Sequence, residues 1–253
     1  MTIPIADYQI VDTCPVCGSG AFTTASHSTG GAYLVDRVVE IPLVYANCNR
    51  CGMLWQLYTW NDTRWWQYYA SGDYRRALTQ GTGEISPQTL EAQSKRANQL
   101  LQSLDGLDKI DSWVDVGCSA GFLLYSLREA HAMDVYGVEI DPLYKDMAIE
   151  RHDLEIRPQA DRTADVLSAV HVLEHVLDPI ATLGEWAGVC DKLIVEVPHR
   201  DNMFSALYHH PLIFDTNTLR RAADTALLTV AAIDVIDDVV NPSEKNIRMV
   251  CTT

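Results

Sequence analysis

The sequence predicts an α/β fold, a parallel β-sheet covered by helices on both faces, joined to a small amino-terminal metal-binding unit. Three observations predict it. Residues 112–197 alternate apolar runs of strand length with segments long enough for helices, a rhythm that yields parallel strands joined by crossovers. The glycine-bearing turn Asp115-Val-Gly-Cys-Ser-Ala-Gly121 closes the first run and opens a helix. The first 56 residues show no helical period and carry two CxxC pairs. At roughly 150 residues per domain, 253 residues make one generous domain, or one domain plus a small module.

The amino-terminal unit runs from CPVCG at 14–18, through a Ser/Thr/Gly turn at Ser26 to Gly31 and a strand-like Tyr33 to Tyr45, to CNRCG at 48–52. An aromatic belt follows, with Trp55, Tyr58, Trp60, Trp65, Trp66, Tyr68, Tyr69 and Tyr74, and then a polar loop from Thr79 to Ser86. Trp65, Trp66, Tyr68 and Tyr69 suit a glue between module and main domain, their bodies buried and their polar tips bonded. Ser86-Pro87 supplies an N-cap and a proline at the first helical position, so 87–104 is expected to be an amphipathic helix. Strands are then expected at Ser112–Val116, Val135–Ile140, Ala164–Val170 and Leu193–Val197, with helices at 120–131, 142–151 and 179–189. A helix at 217–226 precedes two runs, Thr229–Asp234 and Ile247–Cys251, which flank the turn Asn241-Pro242-Ser243 and can pair as an antiparallel hairpin at the sheet edge. The division is therefore 1–56, a zinc-binding module; 57–86, an aromatic connector; and 87–253, the main domain.

Charge narrows the function classes. Thirty-four Asp and Glu against nineteen Lys and Arg give a net charge of −15, so a nucleic-acid partner would have to approach against the protein's own field. No run approaches ~18 apolar residues, and the first residues carry acids where a signal peptide carries lysines. The expectation is a cytoplasmic protein with no membrane span, no nucleic-acid partner and a small-molecule substrate.

Seven cysteines are an odd number, and the four in CxxC pairs, Cys14/Cys17 and Cys48/Cys51, fit a tetrahedral zinc site of ribbon or knuckle type. Gly18 and Gly52, one after each pair, permit the tight turns that aim amides at thiolates. Between residues 1 and 64 the only basic residues are Arg37, Arg50 and Arg64, so the zinc is read as a structural brace. Cys118 reads as a turn residue, and Cys190 and Cys251 as buried strand-side thiols.

The glycine turn lets a backbone approach a ligand closely, and the helix that it opens offers free N–H groups. Glu139 follows Gly121 by eighteen residues, at the end of the next strand, where a carboxylate can take both hydroxyls of a ribose. Together they point to a nucleoside-containing cofactor, and GCSAG lacks the G-x-G-x-x-G spacing that seats a pyrophosphate. DVGCSAGFLL, YGVEIDP, AVHVLEHVLDP and LIVEVP, in this order and spacing, resemble the signature segments of class I S-adenosylmethionine-dependent methyltransferases. The resemblance covers about 110–253 and implies a Rossmann-like, seven-stranded, mostly parallel sheet with an antiparallel C-terminal hairpin. It implies S-adenosylmethionine as cofactor, with Asp115, Gly117, Cys118, Ser119 and Gly121 around its methionine part. Glu139 would hold the ribose with Ile140 beside it, and His171 would close over the sulfonium side. Ser119 stands where the family usually has a third glycine, and Asp161, in the short segment Pro158–Thr163, is the candidate partner of the adenine amino group. With the zinc module, the chain resembles a branch that acts on nucleotide-linked sugars and other small metabolites, whose connector over the cleft is matched by Tyr68-Tyr69-Ala-Ser-Gly-Asp-Tyr74-Arg75.

Methyl transfer asks for in-line alignment and, for many acceptors, a base. The candidates are histidines, with His210 first and His175 second, and His199 and His209 as further possibilities. His210-Pro-Leu-Ile-Phe214 resembles the family's segment leading into the last helix, but Tyr208-His209-His210-Pro211 lacks the Tyr-His-Glu-His of the sugar C-methyltransferases. His171-Val-Leu-Glu174-His175 also reads as H-x-x-E-H, an inverted zinc-peptidase signature that needs two His at helical i, i+4 spacing. The leading reading is a methyltransferase of a sugar or sugar nucleotide. Its alternatives are an O- or N-methyltransferase of a non-sugar metabolite, a non-catalytic cofactor-binding partner subunit and, last, the peptidase.

Overall fold

The computed structural model describes residues 7–34, 37–74, 87–104, 110–202, 209–239 and 241–253. The expected cap at Ser86, the loop Thr79–Ser86, Arg75 and Tyr208 lie outside the described residues.

The main sheet has seven strands in the order β12-β13-β10-β9-β6-β7-β8. In chain order these are β6 (Ser112–Val116), β7 (Asp134–Val138), β8 (Glu155–Arg157), β9 (Ala164–Val170), β10 (Cys190–Pro198), β12 (Thr229–Asp237) and β13 (Lys245–Thr252). β8, β7, β6, β9 and β10 pair in parallel, while β13 pairs antiparallel with both β10 and β12, so the expected hairpin closes one edge. Three crossover helices follow β6, β7 and β9: α3 (Phe122–His131), α4 (Pro142–His152) and α5 (Pro179–Ala187). The ends of the helices follow local chemistry. Gly121 caps α3 in the left-handed conformation (φ 80°), Asp141 caps α4 ahead of Pro142, and Asp178 caps α5 ahead of Pro179.

α1 (Asp62–Ala70) begins at the cap Asn61, and α2 (Pro87–Gln102) lies on α3 with Ala97, Leu100 and Leu101 meeting Leu123, Leu124 and Leu127. α6 (Thr216–Thr225) opens with a reciprocal capping box between Asp215 and Thr218.

The amino-terminal unit is a second sheet. β2 (Phe22–Leu34), β3 (Arg37–Cys48) and β4 (Leu54–Gln56) pair antiparallel, and the fourth strand is β11 (Leu212–Ile213), from far along the chain. A two-stranded ladder joins β1 (Tyr8–Ile10) to β5 (Tyr58–Trp60). Cys14, Val16, Met53 and Trp55 share one core with Val195, Phe214 and Leu219 of the main domain. Trp60, Trp65 and Tyr68 form a smaller cluster with Leu43, Tyr45 and Ile213, whereas Trp66 is exposed.

Several expectations need correction. The Ser26–Gly31 turn is part of β2, because a full ladder from β3 turns a polar Ser/Thr/Gly run into strand. The second parallel strand ends at Val138, so Glu139 and Ile140 lie beyond it, in the loop over the sheet. The sequence gives no sign of β8, since three residues with one apolar member carry no period. The helices end at 102 and 187, where 104 and 189 were expected.

Candidate active site

A cleft of about 460 Å³ opens over the carboxyl ends of β6, β7 and β9, within the usual range of small-molecule sites. Its floor is the turn after β6. Gly117 N and Cys118 N both donate to the Val138 carbonyl, at 2.8 and 3.1 Å, tying the turn to the end of β7. Gly117 has φ 72°, and a Cβ there would lie 2.6 Å from Val172 Cγ2, so both backbone and space demand glycine. Ser119, at the position where the family usually has a glycine, keeps the left-handed conformation (φ 53°) in spite of its side chain. Its amide donates to Glu139 Oε2 at 2.8 Å. Glu139 Oε1 accepts from Ile140 N and Asp141 N, both at 2.8 Å. Three backbone donors thus fix a carboxylate at the lip of the cleft.

Asp115 is buried beneath the turn. Trp113 Nε1 donates to Ser168 Oγ (2.8 Å), and Ser168 Oγ donates to Asp115 Oδ1 (2.6 Å). Burial pushes the Asp115 carboxyl up to about 7; the Glu139 charge adds to this, and the Ser168 bond and Arg96 oppose it.

The opposite wall is built of rings. Tyr69, from α1, Tyr74 and His175 line the cleft together. His175 Nδ1 lies 2.7 Å from the His209 carbonyl and 2.9 Å from Tyr69 Oη. A carbonyl only accepts, so Nδ1 carries a ring proton. His209 and His210 are both buried behind His175, with ring centroids 5.6 and 4.8 Å from it. Burial, and then the neighbouring imidazoles, push His209 well below the usual histidine range.

Seven of the nine expected cofactor residues line the cleft: Asp115, Gly117, Cys118, Ser119, Glu139, Ile140 and His171. Gly121 instead caps α3, where a Cβ would meet Leu154 at 2.3 Å. Asp161 is exposed and paired with Arg157 at 2.7 Å, away from the cleft lining. His175 lines the cleft and His210 does not. His199 stands beside Asp201, with Nδ1 3.5 Å from its carboxylate. The peptidase reading loses its premise. His171 has φ 56° and only Leu173–His175 forms a single 3-10 turn, so the two histidines share no helix.

Sequence reasoning missed the end of the cleft formed by Arg96 and Asp238. Arg96 Nη2 meets Asp238 Oδ2 at 3.2 Å, and Arg96 Nε meets Glu196 Oε1 at 3.3 Å. Glu196 also takes Arg248 Nη2 at 2.7 Å and Asn246 Nδ2 at 3.2 Å. Burial raises the Glu196 carboxyl, but Arg96 and Arg248 outweigh it and hold the group below its usual range. No short motif links residues 96, 196, 238 and 248.

The four cysteines of the CxxC pairs converge. Cys14 Sγ lies 3.5 Å from Cys51 Sγ and Cys17 Sγ 3.6 Å from Cys48 Sγ, with all four within 4.8 Å of one another. A tetrahedron with metal–sulfur bonds of ~2.3 Å has edges of about 3.8 Å, so the set fits zinc. Gly18 and Gly52 take φ 67° and 78°, the tight turns that the sequence called for. Burial pulls the Cys48 thiol up, yet the amides of Cys51 and Arg50 and the neighbouring thiols bring it down to about 7.

A family described as "Methyltransferase domain" matches residues 69–222 of the chain. No curated protein sequence matches it. Among solved structures, it is similar to magnesium protoporphyrin IX methyltransferase (ChlM) from Synechocystis PCC 6803 with bound SAH, at 14% identity and TM-score 0.53, over 74% of this chain and 96% of that one. It is similar to the mitomycin 7-O-methyltransferase MmcR at 16% identity and TM-score 0.56, over 75% of this chain and 60% of that one. The [4+2]-cyclase SpnF shares the fold at 12% identity and TM-score 0.51, over 63% and 80% of the two chains. At such identities the likeness is one of fold.

Proposed function

The chain belongs to the methyltransferase domain family, and on that premise we propose that it transfers a methyl group from S-adenosylmethionine to a small metabolite of the sugar or nucleotide-sugar class. One observation carries the reading: the glycine turn and the backbone-held Glu139 meet in a single cleft whose other wall is aromatic and imidazole. The turn suits the methionine end of the cofactor, and the Glu139 carboxylate suits its ribose diol. ChlM, solved with SAH, and MmcR, a mitomycin 7-O-methyltransferase, are consistent with a small substrate. Tyr69 and Tyr74 offer flat faces and hydroxyls of the kind that sugar pockets use. Removal of the acceptor's proton falls to the imidazole cluster, in which His175 reaches the cleft and His210 backs it. The spacing of the thiols supports one structural zinc on Cys14, Cys17, Cys48 and Cys51, bracing residues 1–56 as a unit beside the connector 57–86 and the domain 87–253.

Isothermal titration with S-adenosylmethionine and S-adenosylhomocysteine tests the reading. Binding of both, at one site per chain, is expected. No binding by folded protein would end it. A screen of sugar nucleotides against non-sugar phenols and amines with labelled S-adenosylmethionine then tests the acceptor class.

A further inference from the structure

Glu174 is 2% exposed, and neither of its carboxylate oxygens has a hydrogen-bond partner among the described residues. A carboxylate buried without donors is costly, and folded proteins compensate such groups with a cation or with a proton. The groups that approach it are imidazoles. His171 Nδ1 lies 3.4 Å from Oε1 without the alignment of a hydrogen bond, and His175 Nε2 lies 3.9 Å from the same oxygen. His175 gives its Nδ1 proton to the His209 carbonyl at 2.7 Å, so Nε2 is the ring atom turned toward Glu174. His210 completes the set: the candidate ligand atoms of Glu174, His175 and His210 all lie within 4.8 Å of one another.

We propose that Glu174, His175 and His210 form a site for a divalent first-row transition metal in the wall of the cleft, separate from the four cysteines. Two imidazoles and one carboxylate are a ligand set that such ions take, with bonds of about 2.0–2.2 Å. The contact of His175 Nδ1 with a backbone carbonyl is the outer-shell bond by which metal-binding histidines are oriented. The site is not the one that the H-x-x-E-H spacing suggests, since His171 is no ligand and Glu174 binds the ion directly. The inference deepens the proposed function and rests on it for its role alone. With the ion bound, His175 and His210 would serve as its ligands in place of acting as the base, and the cation would lower the pKa of an acceptor hydroxyl, whose proton would leave to solvent.

The test uses the full chain, stripped of metal by a chelator and titrated with Co²⁺, with elemental analysis and absorption spectra as readouts. The wild type is expected to take two equivalents per chain. One gives the thiolate-to-metal charge-transfer band of a cysteine site, and the other only weak visible bands. Glu174→Gln, which keeps the side chain's shape, and His210→Ala should each lose the second equivalent and keep the thiolate band, whereas Cys48→Ser should lose that band and keep the second equivalent. Uptake of one thiolate-bound equivalent alone, or two equivalents retained by Glu174→Gln, overturns the proposal. S-adenosylhomocysteine titration on the same samples separates the two readings. Cofactor binding with no second metal sinks only this site, and a second metal without cofactor binding sinks only the methyltransferase reading.

Discussion

The two walls of the cleft are built on different principles. On the cofactor side, the turn after β6 and the loop after β7 satisfy their polar groups with their own backbone: Glu139 takes three amides within 2.8 Å, and Gly117 and Cys118 both bond to Val138. On the acceptor side, Tyr69, Tyr74, His175, His209 and His210 touch through ring faces and edges, and behind them Glu174 has no hydrogen-bond donor among the described residues. The first wall is complete before any ligand arrives. The second is incomplete without something positive, which is where chemistry is expected. The difference predicts that substitutions on the first wall change affinity or stability and that those on the second change turnover.

The largest expected effect is on the ring wall. His175→Ala should lower methyl transfer by ~10² to 10⁴ while S-adenosylhomocysteine affinity stays within about threefold of wild type. His210→Ala should lower turnover in the same direction. If either substitution costs binding as much as rate, the division between the walls fails.

Asp115 tests the cofactor wall through pH. Its carboxyl is raised to about 7 in the folded protein by burial, whereas an unfolded chain releases that proton near pH 4. Between these values the native state binds more protons, so this group makes stability fall as pH rises, by up to about 1.4 kcal/mol per unit. Asp115→Asn can keep the bond from Ser168 and has no such proton. Denaturant titrations from pH 4 to 7 should therefore show a flatter or rising profile for the variant than for the wild type. Parallel profiles would mean that Asp115 is ionised in the fold.

Glu139→Ala should weaken cofactor binding by about 1.5–3 kcal/mol, the scale of hydrogen bonds to a charged group, with little change in the turnover of the saturated enzyme. Calorimetry reads this directly, and unchanged affinity would mean that the ribose lies elsewhere.

The two walls also differ in how far the sequence reveals them. The cofactor wall comes from adjoining segments, 112–122 and 134–141, so glycine, helix cap and acid follow one another at fixed spacing and can be read in order. The ring wall is gathered from residues 69, 74, 175, 209 and 210, and the ionic end of the cleft from 96, 196, 238 and 248. Tyr69 and Tyr74 fall in the connector that the resemblance set over the cleft, but nothing local relates them to the histidines or relates the four ionic residues to one another. His210 could be nominated by residue type, but its position behind His175 depends on β11 pairing with β4, Leu212 opposite Trp55 and so far apart in the chain. The same holds for β2, where the polar run at Ser26–Gly31 favours a turn by composition and becomes strand through its ladder with β3. Edge strand β8 needs only the backbone of β7 as a template and leaves no side-chain pattern to find.

The smallest effect probes how finished the cofactor wall is. Ser119 holds φ 53°, a left-handed conformation that costs a residue with a Cβ roughly 1–2 kcal/mol. Glycine escapes that cost but gives back roughly 0.5–1 kcal/mol of backbone entropy to the unfolded chain. Ser119→Gly should therefore raise stability by up to about 1 kcal/mol, read as a higher denaturant midpoint at an unchanged slope. The bond from residue 119 to Glu139 uses the amide, not the hydroxyl, so the substitution leaves the carboxylate anchored. Cofactor affinity should then hold or rise. A drop in affinity with stability unchanged would make the Ser119 hydroxyl a ligand group in its own right, and this chain's departure from the family's third glycine would then be a contact that the cofactor uses.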